Sequence, residues 1–91
     1  MGIDFTWNKT GFDSVMEATF VIKNNSDRNV KDITIECTHS AKSGTVIDKN
    51  KRTIYESFSA KSEKKIANMN MGFIHGQVEK SGCQITDAVI L

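Results

Sequence analysis

Two alternating runs on either side of a polar corner constrain this chain most. Met16-Glu17-Ala18-Thr19-Phe20-Val21-Ile22-Lys23 and Ile33-Thr34-Ile35-Glu36-Cys37-Thr38 alternate apolar and polar residues, with Val21 the one apolar exception, and Asn24 to Asn29 between them is wholly polar. Side chains of an extended strand point to opposite faces in turn, whereas a helix repeats its apolar face every three or four residues. Met16, Ala18, Phe20 and Ile22 therefore share one face of a first strand, and Ile33, Ile35, Cys37 and His39 one face of a second. The residues of the corner bond their own main chain and tolerate left-handed backbone, so they suit a surface loop.

The rest of the chain follows the same grammar. Ile3, Phe5 and Trp7 alternate in a short leading strand, and Asn8 to Gly11 is read as a turn. Ser43-Gly44 makes a corner into a short strand, Thr45 to Asp48, with Asp48 to Lys51 as a tight turn in which Asn50 takes positive φ. Arg52 to Phe58 is rich in β-formers, but Glu56 shares a face with Ile54 and Phe58, as expected at a sheet edge or a bulge. Ser59 to Ser62 is a turn, and Lys64 to Met69 is a strand with Ile66 in the core. Asn68 to Gln77, where Gly72 and Gly76 bracket Phe73, Ile74 and His75, is expected as a packed irregular connection or one helical turn. Cys83 to Leu91 closes the chain as a long strand.

Turn signals thus recur about every 8 to 12 residues, the spacing of a β-sandwich or barrel. Ninety-one residues make one domain, 1–91, with a modest core, so a disulfide or a partner would matter to its stability. A net charge of +1 argues against a nucleic-acid partner, because Lys49, Lys51 and Arg52 are interrupted by Asn50 beside Asp48 and read as a solvated turn. The first residues show no basic stretch leading into an apolar run, and Ala88 to Leu91 is far shorter than the roughly 20 residues of a membrane-spanning helix. No membrane insertion by this segment is expected.

Phe20-Val21-Ile22-Lys23-Asn24-Asn25-Ser26, then Val30-Lys31-Asp32-Ile33-Thr34-Ile35, then Ser43-Gly44-Thr45-Val46-Ile47-Asp48 resemble the FxLYD-type immunoglobulin-like domains of bacterial envelope and exported proteins. The likeness spans Ala18 to Ile66 and departs from the naming motif at Cys37-Thr38-His39-Ser40. It implies an immunoglobulin-like antiparallel β-sandwich of six to seven strands, periplasmic or membrane-tethered outside the cytoplasm, with no catalytic residues to carry over.

Few residues suggest chemistry. Cys37 and Cys83 fall in step with Ile35 and Ile85 and face the interior. In a sandwich of this order their strands share a sheet, so the thiols either meet as a disulfide or remain two reduced core cysteines. Met69 and Met71 share a strand face and, with His75, have the donor chemistry of a Cu(I) site, although methionines at this spacing also serve as core filler. His39 and His75 lack a second histidine at ligand spacing and read as polar corner residues. No serine has a nucleophile elbow, and neither a phosphate loop nor a dinucleotide fingerprint is present. Trp7, Tyr55 and Phe58 form either an aromatic platform or half-buried edge packing.

The expectation is a non-enzymatic interaction or spacer module, without cofactor, that presents loops or an edge strand to a protein partner. The candidate edge carries Ile54, Tyr55 and Phe58. The alternative is a small-ligand or copper carrier using Met69, Met71 and His75.

Overall fold

The structure, a computed structural model, describes residues 1–12 and 14–91. It is all-β: β1 (Gly2–Thr10), β2 (Val15–Asn24), β3 (Val30–Ser40), β4 (Val46–Phe58), β5 (Ser62–Phe73) and β6 (Lys80–Ile90). These strands form two antiparallel sheets of three, ordered β1-β2-β5 and β4-β3-β6. This is the expected β-sandwich, with six strands among the described residues. The first, second and fifth strands share one sheet and the third pairs with the sixth, as in the seven-strand immunoglobulin arrangement, but β4 lies beside β3 and not in the sheet of β1, β2 and β5.

The central strands behave as their alternation requires. Met16, Ala18, Phe20 and Ile22 of β2 are buried, and so are Ile33, Ile35, Cys37 and His39 of β3. These two inner faces form the core, closed by Ile54 and Phe58 of β4 and by Met71, Ile74 and Val78. Burying a side chain the size of Phe20 contributes about 2–3 kcal/mol. Phe5 of β1 packs against Phe20 with ring centroids 6.0 Å apart.

Several local expectations are corrected. Asn8 to Thr10 belong to β1, and the chain turns at Gly11 and Phe12, both at positive φ. Asp48 to Lys51 is no turn, because β4 runs unbroken from Val46 to Phe58, and pairing with β3 overrides the turn propensity of Asn50. β5 continues through Asn68 to Phe73, so the irregular connection is confined to Ile74–Glu79. There Val78 N donates to His75 O at 3.1 Å, and Ile74 and Val78 plug the end of the sandwich.

Ile66 is only half-buried, and Met71 is the β5 residue sealed in the core. The β2–β5 register shifts twice, between Ala18 and Phe20 and between Met16 and Glu17, each time admitting an extra residue on β5. Those bulges turn Met71 inward. His39 is likewise not a corner residue but lies in the buried interior of β3.

Glu56 is resolved in both of the expected ways. β4 is an edge strand, and its register against β3 shifts between Lys31 and Ile33, giving β4 an extra residue between Ile54 and Ser57. Ile54 and Phe58 both face inward while Glu56 stays exposed.

Candidate functional site

Each three-stranded sheet ends in two strands with an unpaired side, so the sandwich has two flanks: β4 beside β5, and β1 beside β6. An unpaired strand presents a row of N–H and C=O groups able to pair with another chain.

The β4/β5 flank holds the edge residues expected from sequence. Ile54 and Phe58 are core residues, and Tyr55 between them is 80% exposed. Side chains cross this flank from both sides. Asn50 Nδ2 donates to Met71 O and to Phe73 O, both at 3.0 Å. Lys64 Nζ donates to Ser57 O at 2.7 Å, lies 3.4 Å from Glu56 Oε1, and sits 5.0 Å from the Phe58 ring centroid. Arg52 lies over Gly72. Edge carbonyls of both strands are thereby occupied, and β4 also carries Asp48, Lys49, Lys51, Arg52 and Glu56 along its length.

The β1/β6 flank differs. Ile3, Phe5 and Trp7 of β1 and Cys83, Ile85 and Ala88 of β6 pack against the core but remain half-buried. Among the described residues the side-chain hydrogen bond reaching over this flank is Lys9 Nζ to Gly76 O, 2.9 Å, in the connection before β6.

Cys37 and Cys83 stand directly opposite in the β3–β6 ladder, and their sulfurs are bonded. Two residues further along β3, His39 Nδ1 lies 2.6 Å from Ser81 Oγ, while its buried Nε2 has no hydrogen-bond partner among the described residues. A neutral ring with its proton on Nδ1 suits this setting, since Nε2 is then only an unused acceptor. Burial pushes the His39 pKa below its ordinary value, against the opposite pull of Asp48 and of the Asn50 side chain.

The methionine and histidine positions do not converge on one surface. Met71 is sealed in the core and Met69 is half-buried. His75 is exposed in the connection, where its Nδ1 accepts from Gln77 N at 3.2 Å. Among the described residues no group of three or more His, Cys, Asp or Glu is placed to hold a metal. Trp7 is half-buried on the β1/β6 flank, and Tyr55 and Phe58 lie on β4, so the three aromatics form no shared platform.

Shallow concavities also occur among the described residues. One, about 380 Å³, is lined by Asn24, Asn25, Lys61, Ser62 and Glu63. Another, about 350 Å³, is lined by Thr38, Gly82, Cys83 and Gln84 on the β3–β6 sheet. Gly82 lies just before the strand expected from Cys83, and β6 in fact begins at Lys80. The strand position of Gly82 became legible only through its pairing with Thr38.

No described helix is long and apolar enough to cross a membrane. Compared with known proteins, the chain matches no family model, no curated protein and no solved structure.

Proposed function

We propose that this chain is a non-enzymatic interaction module of a bacterial cell-envelope or exported protein, binding an extended segment of a protein partner along a free sheet edge. The observation that carries this reading is the architecture itself: two three-stranded sheets whose outer strands each keep one unpaired side. The Cys37–Cys83 disulfide in a small domain is compatible with an oxidising compartment outside the cytoplasm, and it supports that part of the proposal.

Selection of a random-peptide display library against the oxidised protein tests the reading, with bound peptides mapped by amide exchange. The expected result is enrichment of extended peptides that protect amides in the edge strands. Protection confined to the loops, or no enrichment, overturns it.

A further inference from the structure

The two flanks are unequal, and their inequality identifies which edge a partner would use. On the β4/β5 flank, Asn50 and Lys64 already occupy the carbonyls of Met71, Phe73 and Ser57. β5 is further broken by two register shifts and carries Glu63, Lys64 and Lys65. Charges, bulges and covering side chains are the devices that keep an edge strand from pairing.

β6 has few of these. From Ser81 to Ile90 it carries a single charged residue, Asp87. Its ladder with β3 is regular from Lys80 opposite Ser40 to Ile85 opposite Ile35, and shifts only beyond that point. Over this stretch every second residue turns its N–H and C=O away from β3.

We propose that the Lys80–Ile85 edge of β6 accepts an extended segment of a separate polypeptide as an additional strand, one with apolar side chains toward β1, a large aromatic opposite Gly82 and a carboxylate beside Lys80. The inference rests on the edge-binding reading above and specifies its edge and its occupant.

Each part of that chemistry answers a feature of the flank. The inner side chains next to the free edge are Cys83 and Ile85, and β1, on the other side of the flank, contributes Ile3, Phe5 and Trp7; all five pack against the core and are half-buried. Alternate apolar residues of an added strand would complete their burial. On the outer face, Gly82 leaves the concavity it shares with Thr38 and Gln84, and a Cβ built there meets nothing within 4 Å. A glycine in an edge strand is compensated by an aromatic side chain laid across it from the neighbouring strand.

At the same end, Lys80 makes no ion pair among the described residues, and Lys9 Nζ reaches Gly76 O close by. Both lysines favour an acidic residue in the occupant. A second copy is the weaker fit. If two β6 edges paired, each strand's inward side chains would already be committed to its own sandwich, and the flank beside β1 would stay half-open.

The probe is an acetylated, amidated heptapeptide, Thr-Val-Thr-Val-Tyr-Val-Glu, added to the oxidised, isotope-labelled protein. Antiparallel to β6, it sets Tyr opposite Gly82 and Glu opposite Lys80. The expected result is saturable amide shifts and exchange protection at Lys80–Ile85, with shifts at Ile3, Phe5 and Trp7. Gly82→Tyr fills open space on a backbone that is not left-handed, so its spectrum elsewhere should be unchanged while peptide affinity falls about tenfold or more. Lys80→Glu should weaken the same peptide about tenfold and a Lys-ended peptide far less.

Protection at Arg52–Phe58 instead would overturn the β6 assignment and leave the edge-binding reading standing. Protection confined to loops would overturn both. Absence of binding, with display-selected peptides still protecting an edge, would overturn the proposed occupant chemistry alone. Concentration-dependent protection of β6 without peptide would overturn it in favour of self-pairing.

Discussion

Cys37 and Cys83 face each other across neighbouring strands, their Cα atoms 4.0 Å apart, and their disulfide ties the central strand β3 to the outer strand β6. Along the chain the two residues are 46 positions apart. Closing a loop of that length removes unfolded-state entropy equivalent to about 4 kcal/mol, a large share of a small domain's stability. Reduced protein should therefore unfold at a markedly lower denaturant concentration than oxidised protein. An unchanged midpoint would show that the bond contributes little.

Asn24 closes β2 and uses every hydrogen-bonding position it has. Its Nδ2 donates to Arg28 O at 2.8 Å and to Phe58 O at 3.1 Å, and its Oδ1 accepts from Ser26 N at 3.1 Å and from Ser26 Oγ at 2.7 Å. The residue is 1% exposed, so truncation strips the buried Phe58 carbonyl of its side-chain donor and both Ser26 groups of their acceptor, while the Arg28 carbonyl keeps Ser26 Oγ at 3.0 Å. Asn24→Ala should cost about 2–3 kcal/mol in chemical denaturation. Asn24→Asp should cost at least as much, because a carboxylate would face the Arg28 and Phe58 carbonyl oxygens.

His39 makes stability depend on pH. Burial lowers its pKa below the ordinary 6.5, outweighing Asp48 and Asn50, which favour the proton. The unfolded chain therefore binds the proton more readily than the folded one. The stabilisation from a neutral ring is intact above about pH 6.5, declines as pH falls below it, and is fully lost once pH drops through the depressed folded-state value. Denaturation midpoints between about pH 7.5 and about pH 5.5 should drop more for the natural protein than for His39→Gln. Equal slopes would contradict this origin.

Gly72 adopts φ 95°, and a Cβ there would come 2.6 Å from Arg52 Nη2. The guanidinium is the far end of a flexible, exposed side chain and can swing aside, whereas the backbone strain cannot be relieved. Gly72→Ala should cost about 1–3 kcal/mol in denaturant unfolding, and adding Arg52→Ala should recover less than half of that. Full recovery would mean that the collision with Arg52, and not the left-handed backbone, causes the loss.

Legibility from sequence varied with distance from the sheet centres. β2 and β3 have neighbours on both sides and a buried face, so their period-two patterns translated directly into Met16, Ala18, Phe20, Ile22, Ile33, Ile35 and Cys37 in the core. The outer strands read less well. Asn50 has turn chemistry, yet in the structure it is a strand residue whose amide bridges the two sheets. Ile66 reads as core, but the β5 bulges pass that place to Met71.

The candidate site shows the same division. Tyr55 was legible as a residue of an edge strand, and Cys37 and Cys83 as inward-facing residues of one sheet, with their bonding left open. The covering of β4 by Lys64, the open flank between β1 and β6, and the dent at Gly82 were not legible. Alternation, turn residues and in-step cysteines determined that this chain folds as an antiparallel sandwich, because side-chain period is a local property of extended backbone. Only the tertiary structure decided which edges are covered and which stand free, because register shifts, left-handed residues and contacts between sheets depend on neighbours far apart in the chain.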